Sequence, residues 1–273
     1  MKRAAFAVAA GAVVAWSLAP AAWQLATALK PDSEITAAPT VYLPHPPTLR
    51  HFAALAKRKP LGRYLLNSFE ASAAATLVTV GAGLLAASAL ARMSGRRRRR
   101  VLFGLLLLVS FPPILLLFPL YEAARALGGL NHPLALVIPY AALALPLAIW
   151  ILESAYRQIP REIGEAAVLD GLSPLQRLVR IEFPLALPSV VTAGILVFIA
   201  CWNEFLLALT FLTRDESKTI TAGIASVGGS SIYEIPWGQL SAAVVVATAP
   251  LIVLVFLFER RIAGGLTRGA VKG

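Results

Sequence analysis

Six runs of twenty or more residues contain no Asp, Glu, Lys, Arg or His: 4–29, 71–91, 101–121, 133–152, 183–203 and 235–258. A helix of roughly 20 apolar residues crosses the ~30 Å hydrocarbon core of a bilayer. Two shorter runs fail as spans: 35–44 holds Pro39 and Pro44, and 219–233 holds the polar sequence Gly228-Gly229-Ser230-Ser231. The fifth run opens with Pro184 and Pro188 and stops at Glu204, so its helix is predicted over about 189–212 with that carboxylate inside it. The chain is thus predicted to be an all-α integral membrane protein. Its six transmembrane helices are expected at about 4–29, 67–91, 101–121, 133–153, 189–212 and 237–258, in one transmembrane domain over 1–273. Composition closes off the main alternative. Only 14% of residues are charged and the mean hydropathy is +0.73, where a soluble domain carries about 25% charged residues. Cys201 stands alone beside three His, which excludes a disulfide framework and leaves little for a metal site.

Basic residues set the orientation. The net charge of +11 suggests anionic lipid and topology signals rather than nucleic acid in so apolar a chain. Six spans put both termini on one side, and an N-in, C-in arrangement places sixteen of the 25 Lys and Arg in the cytoplasm. Among them is the block Arg96 to Arg100, directly at a helix end, where charge counts most. The loop 30–63 dissents, with Arg50, Lys57-Arg58-Lys59 and Arg63 outside. Residues 1–22 have a signal-peptide look, with Lys2-Arg3 and Ala19-Pro20-Ala21-Ala22. The apolar run of 4–29 is longer than the roughly 7–15 residues of a signal core, and it reads as an uncleaved first helix.

The 30–63 loop is Pro-rich and is predicted to be extended. Helix 2 carries Ala71, Ala75, Gly81, Gly83, Ala87 and Ser88, and small residues let helices approach closely in lipid. Pro112, Pro113 and Pro119 in helix 3, and Pro139 and Pro146 in helix 4, interrupt the hydrogen-bond ladder, either as packing kinks or along a solute path. Residues 122–132 are predicted to be a short helix on the outer surface.

The segment 157–188, between helices 4 and 5, is too regular for a plain connector. Pro160 suits a helix start, and Ile163, Ala166 and Ala167 form a narrow apolar stripe. Asp170-Gly171 reads as a helix stop. Ser173-Pro174-Leu175-Gln176 reads as N-cap, N1 proline and capping-box Gln. Leu175, Leu178 and Val179 are predicted on one side of a second short helix that Pro184 and Pro188 end at the membrane. A cytoplasmic helix–turn–helix with one greasy face either docks a partner or rests on lipid headgroups.

A resemblance decides between these. Glu165-Ala166-Ala167, three residues, Gly171, nine residues, Ile181, one residue, Phe183-Pro184 resembles the EAA loop of ABC-importer permeases, with Phe183 replacing Leu. The resemblance implies a coupling helix that docks in a groove on an ATPase subunit. By match, Glu165, Ala166, Ala167, Asp170, Gly171, Ile181 and Pro184 are its coupling residues. The tail Gly265-Leu266-Thr267-Arg268-Gly269-Ala270-Val271-Lys272-Gly273 is similar to that of carbohydrate permeases of the maltose/trehalose type. Phe258 to Ile262, Tyr233 to Gly238, and Trp202-Asn203-Glu204 are similar to that group as well. The resemblance runs from about helix 3 to the end. It implies a multi-pass subunit of the cell membrane that imports a disaccharide or oligosaccharide such as trehalose or maltose. Its expected partners are a second homologous permease, two copies of an ABC ATPase and an extracytoplasmic binding protein.

Ionisable groups at membrane depth are expensive and mark function by default. Glu204, beside Trp202 and Asn203, either lines the translocation path or makes an interhelical bond. Glu70 is expected at the interface, and Tyr233 and Trp237 as aromatic-belt anchors or binding-protein contacts. No Walker A sequence occurs and no nucleophile–His pair, so no catalytic residue, cofactor or metal is expected, and ATP hydrolysis is assigned to the partner. An importer of amino acids, peptides or phosphate shares the EAA loop but not the tail. A six-helix membrane enzyme or channel calls for clustered His, Asp or Lys within the spans, where only Glu204 is found.

Overall fold

The computed structural model of the chain describes residues 2–228 and 235–270. Thirteen α-helices occur in order among the described residues: α1 (Lys2–Leu29), α2 (Asp32–Ile35), α3 (Arg50–Arg58), α4 (Leu61–Arg92), α5 (Gly95–Ser110), α6 (Leu117–Ala126), α7 (Val137–Tyr156), α8 (Arg161–Leu169), α9 (Pro174–Arg177), α10 (Phe183–Trp202), α11 (Leu206–Phe211), α12 (Ile220–Ala225) and α13 (Trp237–Ala270). Five helical stretches are long and apolar enough to cross a membrane: Arg3–Leu29, Leu61–Arg92, Pro133–Tyr156, Pro174–Trp202 and Trp237–Glu259. A sixth span results if α5 and the stretch Pro113–Ala126, bent by 83°, count as one. The chain is all-helical with five to six candidate spans, as expected. Ser230, Tyr233, Glu234 and Val271-Lys272-Gly273 lie outside the described residues.

Two compact units divide the chain. The first comprises residues 1–63 and 223–252. Its core holds Ala28, Leu55, Ala242 and Ala243, with Phe52, Leu61 and Ile224 against them. The 30–63 loop is not simply extended: α3 buries His51 and Leu55, one turn apart on one face. His51 Nε2 lies 2.8 Å from the Lys30 carbonyl, and the Lys30 ammonium sits 4.1 Å from the Trp23 ring centroid. A cation–π contact and a buried hydrogen bond hold the chain where α1 ends.

The second unit comprises residues 64–222 and 253–273. Here α4, α7 and α10 build two apolar cores. One gathers Ala71, Ala75, Tyr140, Ala144, Val197 and Phe211. The other gathers Ala87, Leu152, Tyr156, Ala186, Val190 and Ala193. Small residues on α4 recur every fourth position, at Ala71, Ala75, Gly83 and Ala87, with Thr79 completing the row. The row lets α7 approach so closely that a Cβ at Gly83 would lie 3.2 Å from Ala148 Cβ and 3.3 Å from Leu152 Cδ1. Gly81 faces open space instead.

Two spans differ from expectation, and proline accounts for both. The predicted 101–121 helix breaks because a residue before proline is driven out of the α region. Phe111 and Pro112 each precede one and take ψ 128° and 117°. Residues 122–132 are consequently no separate surface helix. Their first half ends α6, and the rest turns through Gly128 (φ 69°) and Asn131 (φ 62°).

The predicted 189–212 helix instead begins at Pro174, so Pro184 and Pro188 do not end the loop helix. Pro184 lacks the N–H that would serve the Arg180 carbonyl. The ladder widens to a π turn over Leu178–Glu182, with Phe183 N donating to the Leu178 carbonyl, and α10 continues. That helix stops at Trp202, so Glu204 is not inside it.

Candidate functional site

The segment 157–188 folds as the helix–turn–helix its capping residues demand. Pro160 (ψ 138°) precedes α8, and α8 ends in a Schellman turn. Leu172 N donates to the Ala167 carbonyl and Gly171 N to the Val168 carbonyl, both at 3.0 Å. Gly171 has φ 77° with open space around it, so the left-handed backbone and not crowding is what calls for glycine. Ser173 and Gln176 form the reciprocal capping box that opens α9, at 2.9 and 3.3 Å.

The apolar surface of this element is only in part the one read from the spacing: Ile163, Ala166, Leu175 and Val179 face outward, while Ala167 and Leu178 turn inward. Ala167 is buried in the chain itself at 2% exposure. Glu165, Ala166, Asp170 and Gly171 face outward, Ile181 is half-buried and Pro184 is exposed. Leu178 is buried while Leu175 and Val179 are exposed. The most exposed large apolar groups are Val168, Leu169, Leu175 and Val179, with Leu169 the extreme at 88% exposure and Ile163 less exposed beside them. A helical turn is too short for the sequence period alone to say which side the chain's own helices cover.

A groove of about 1100 Å³ opens alongside the helix–turn–helix, lined among others by Arg92, Arg98, Arg157, Glu165, Leu169 and Glu182, so the outward residues of α8 border it. Two ion-pair clusters reach it through Arg92, Arg98, Arg157, Arg177 and Glu182. Glu182, with 13% of its side chain exposed, receives Arg92 Nη2 at 3.0 and 3.1 Å and lies 3.3 Å from Arg177 Nε. Ser88 Oγ donates to its Oε2 at 2.6 Å, and the Arg92 guanidinium also donates to Ser88 Oγ. Glu153 on α7 is 5% exposed, 3.4 Å from Arg98 Nε and 4.0 Å from Arg157 Nε. Its Oε1 makes no directional hydrogen bond, so that pairing is electrostatic. Sequence reasoning singles out neither carboxylate. A usable signal exists, an acid at the end of a span opposite an arginine excess, because a carboxylate near lipid needs a cation.

The three residues expected near a solute path separate. Trp202 is buried against Phe198, ring centroids 5.7 Å apart. Asn203 is exposed, and its Nδ2 donates back to the Ile199 carbonyl at 2.9 Å. Glu204 sits in the break after α10 and accepts from Leu207 N at 2.9 Å and Ala208 N at 3.2 Å. A carboxylate at a helix start satisfies amides that have no partner within the helix. It also borders a cavity of about 100 Å³ with Tyr140, Ala144 and Cys201. Glu70 is exposed; its neighbours Asn67 and Ser68 are the tethered groups, to the Glu216 and Lys218 carbonyls and to Ile220 N. Trp237 is exposed at the start of α13. Among the described residues no group of three His, Cys, Asp or Glu converges as a metal site.

The fold is that of a helical membrane protein with a capped helix–turn–helix between two of its spans. Residues 79–268 match the family described as the binding-protein-dependent transport system inner membrane component. The sulfoquinovosyl glycerol transport system permease protein SmoH of Agrobacterium fabrum is 39% identical, covering 97% of this chain and 93% of that protein. The trehalose transport system permease protein SugB of Mycobacterium tuberculosis is 38% identical, over 96% and 94%. The trehalose/maltose transport system permease protein MalG of Thermococcus litoralis is 37% identical, over 94% and 92%. A solved bacterial ABC transporter involved in import of the acidic polysaccharide alginate has the same fold, with TM-score 0.76 at 19% identity over 94% of both chains.

The chain belongs to this family of ABC-importer permeases. It is a non-catalytic, multi-pass component of the inner membrane, and membership implies an ATPase and a solute-binding protein as partners.

Proposed function

We propose that this permease carries a sugar, a disaccharide or oligosaccharide of the trehalose or maltose kind, into the cell. The whole chain acts as one permease domain, inserted N-in and C-in, beside a second homologous permease and above two copies of the ATPase. The binding protein delivers the sugar from outside. The observation that carries the reading is the outward apolar set Val168, Leu169, Leu175 and Val179 on a helix–turn–helix whose turn is fixed by a Schellman motif and a capping box. Such a surface suits a groove on the ATPase. The names of three relatives, which between them transport trehalose, maltose and sulfoquinovosyl glycerol, support the sugar class. Glu204 is assigned to the solute path, because it borders a cavity while its carboxylate anchors the start of α11.

ATP-dependent uptake of a labelled sugar panel by the reconstituted complex tests the substrate class; uptake of amino acids or phosphate but no sugar would refute it. Orientation is tested with Ser173→Cys in a Cys201→Ser background. Labelling by a membrane-impermeant maleimide is expected only once the cytoplasmic side is opened, and labelling in intact cells would overturn both topology and docking.

A further inference from the structure

We propose that Glu182 is a coupling joint: it ties the end of α4 to the docking loop, so that displacement of the loop moves α4 and α10 together. The proposal rests on the loop being the ATPase-docking element. Glu182 occupies the unspecified position between Ile181 and Phe183-Pro184, so the motif says nothing about it. It is the last residue of the π turn, where the loop helix becomes a span without interruption. A π turn adds one residue to the helix and so rotates the remainder of that helix by about 100°. At this turn the Glu182 carboxylate meets Ser88 and Arg92 on α4, about 90 residues earlier in the chain.

Apolar packing alone does not define such a joint. The core of Ala87, Tyr156, Leu178, Ala186 and Val190 packs the same helices together, and non-directional contacts among small side chains let helices slide. The Glu182 carboxylate instead takes two donors, Ser88 Oγ at 2.6 Å and Arg92 Nη2 at 3.0 Å, and faces the Arg177 guanidinium with Nε at 3.3 Å, a charge pairing without a directional hydrogen bond. A charge cluster this shielded favours one register and penalises neighbouring ones, because each slipped register leaves a desolvated charge without its partner. Continuity of the helix carries loop motion into α10, and Glu182 carries it sideways into α4.

The test uses the complete complex, with its ATPase and binding protein, in proteoliposomes. Glu182→Gln keeps the shape and removes the charge. The ATPase should stay bound, and uptake should fall roughly 5- to 150-fold, the span of a typical lost coupling. Arg92→Gln should do the same, the double variant should be no worse than either single one, and Glu182→Asp should restore most uptake. Wild-type uptake by Glu182→Gln, additive losses in the double variant, or release of the ATPase from Glu182→Gln would each overturn the joint. Leu169→Asp, on the outward surface, tests the underlying reading separately. If that variant keeps its ATPase and its uptake, the docking assignment fails and the joint fails with it; wild-type uptake by Glu182→Gln while Leu169→Asp loses its ATPase overturns the joint alone.

Discussion

Leu169→Asp is the sharpest perturbation the loop offers. Leu169 is 88% exposed, so nearly all its apolar surface is free for a partner. Full burial of a leucine side chain is worth about 1.5–3 kcal/mol, and about 2 kcal/mol of that disappears with the side chain. The carboxylate that replaces it is desolvated without a cation, which adds several kcal/mol. Together, about 4–6 kcal/mol of docking energy is lost, three to four orders of magnitude in affinity. The permease itself should fold normally, because an exposed substitution changes stability by about 0.5 kcal/mol or less. Leu169→Ala removes only the burial and should weaken docking about 10- to 30-fold. The assay is the amount of ATPase recovered per permease after detergent extraction, read beside uptake in cells. Retention of both by the Asp variant would refute the docking surface. Ala167→Asp is a different experiment: Ala167 is buried at 2% exposure, and its carbonyl closes the Schellman turn. That carboxylate should unfold the loop in the permease alone, seen as protease sensitivity without any ATPase present.

Gly171→Val forces a β-branched residue to φ 77° and should cost about 1–3 kcal/mol locally; Gly171→Asn should be milder, and limited proteolysis of the loop ranks them. Gly83→Val should lower the melting temperature in detergent by opening the α4–α7 contact, at about 1–3 kcal/mol, whereas Gly81→Ala should not lower it, because nothing lies within 4 Å and alanine is the better helix former. Asn131 holds φ 62° and accepts from Thr213 N, Thr213 Oγ1 and Arg214 N at 2.8–3.0 Å. Asn131→Gly keeps the backbone and loses those bonds, so it should lose about 1–3 kcal/mol in thermal unfolding, with Asn131→Ala worse. Glu204→Gln cannot accept from Leu207 N and Ala208 N together, so it should lower uptake while the complex stays assembled; dissociation of the two permeases would make Glu204 structural.

Much of this protein is local physics and legible without coordinates. Charge-free runs of span length mark membrane helices because lipid demands that every backbone group be satisfied within the helix. The helix–turn–helix is equally legible, since Pro160, Gly171 and the Ser173–Gln176 box act through φ values and orphan amides a few residues away. The hidden part depends on contacts between distant segments. Nothing local says that Ala167 turns inward and Leu169 outward, because that is set by which helices lie beneath α8. The break at Phe111 and the passage through Pro184 both begin with proline, yet one stops the helix and the other does not. Two consecutive prolines leave two residues without the α conformation, while a single one is absorbed by a π turn. Glu182 and Glu153 belong to the same class. Each is an ordinary acid in the sequence, and only the folded chain puts Arg92 and Arg98 against them. Tertiary structure decides such sites because charge energies depend on distance and shielding, and neither is a property of neighbouring residues.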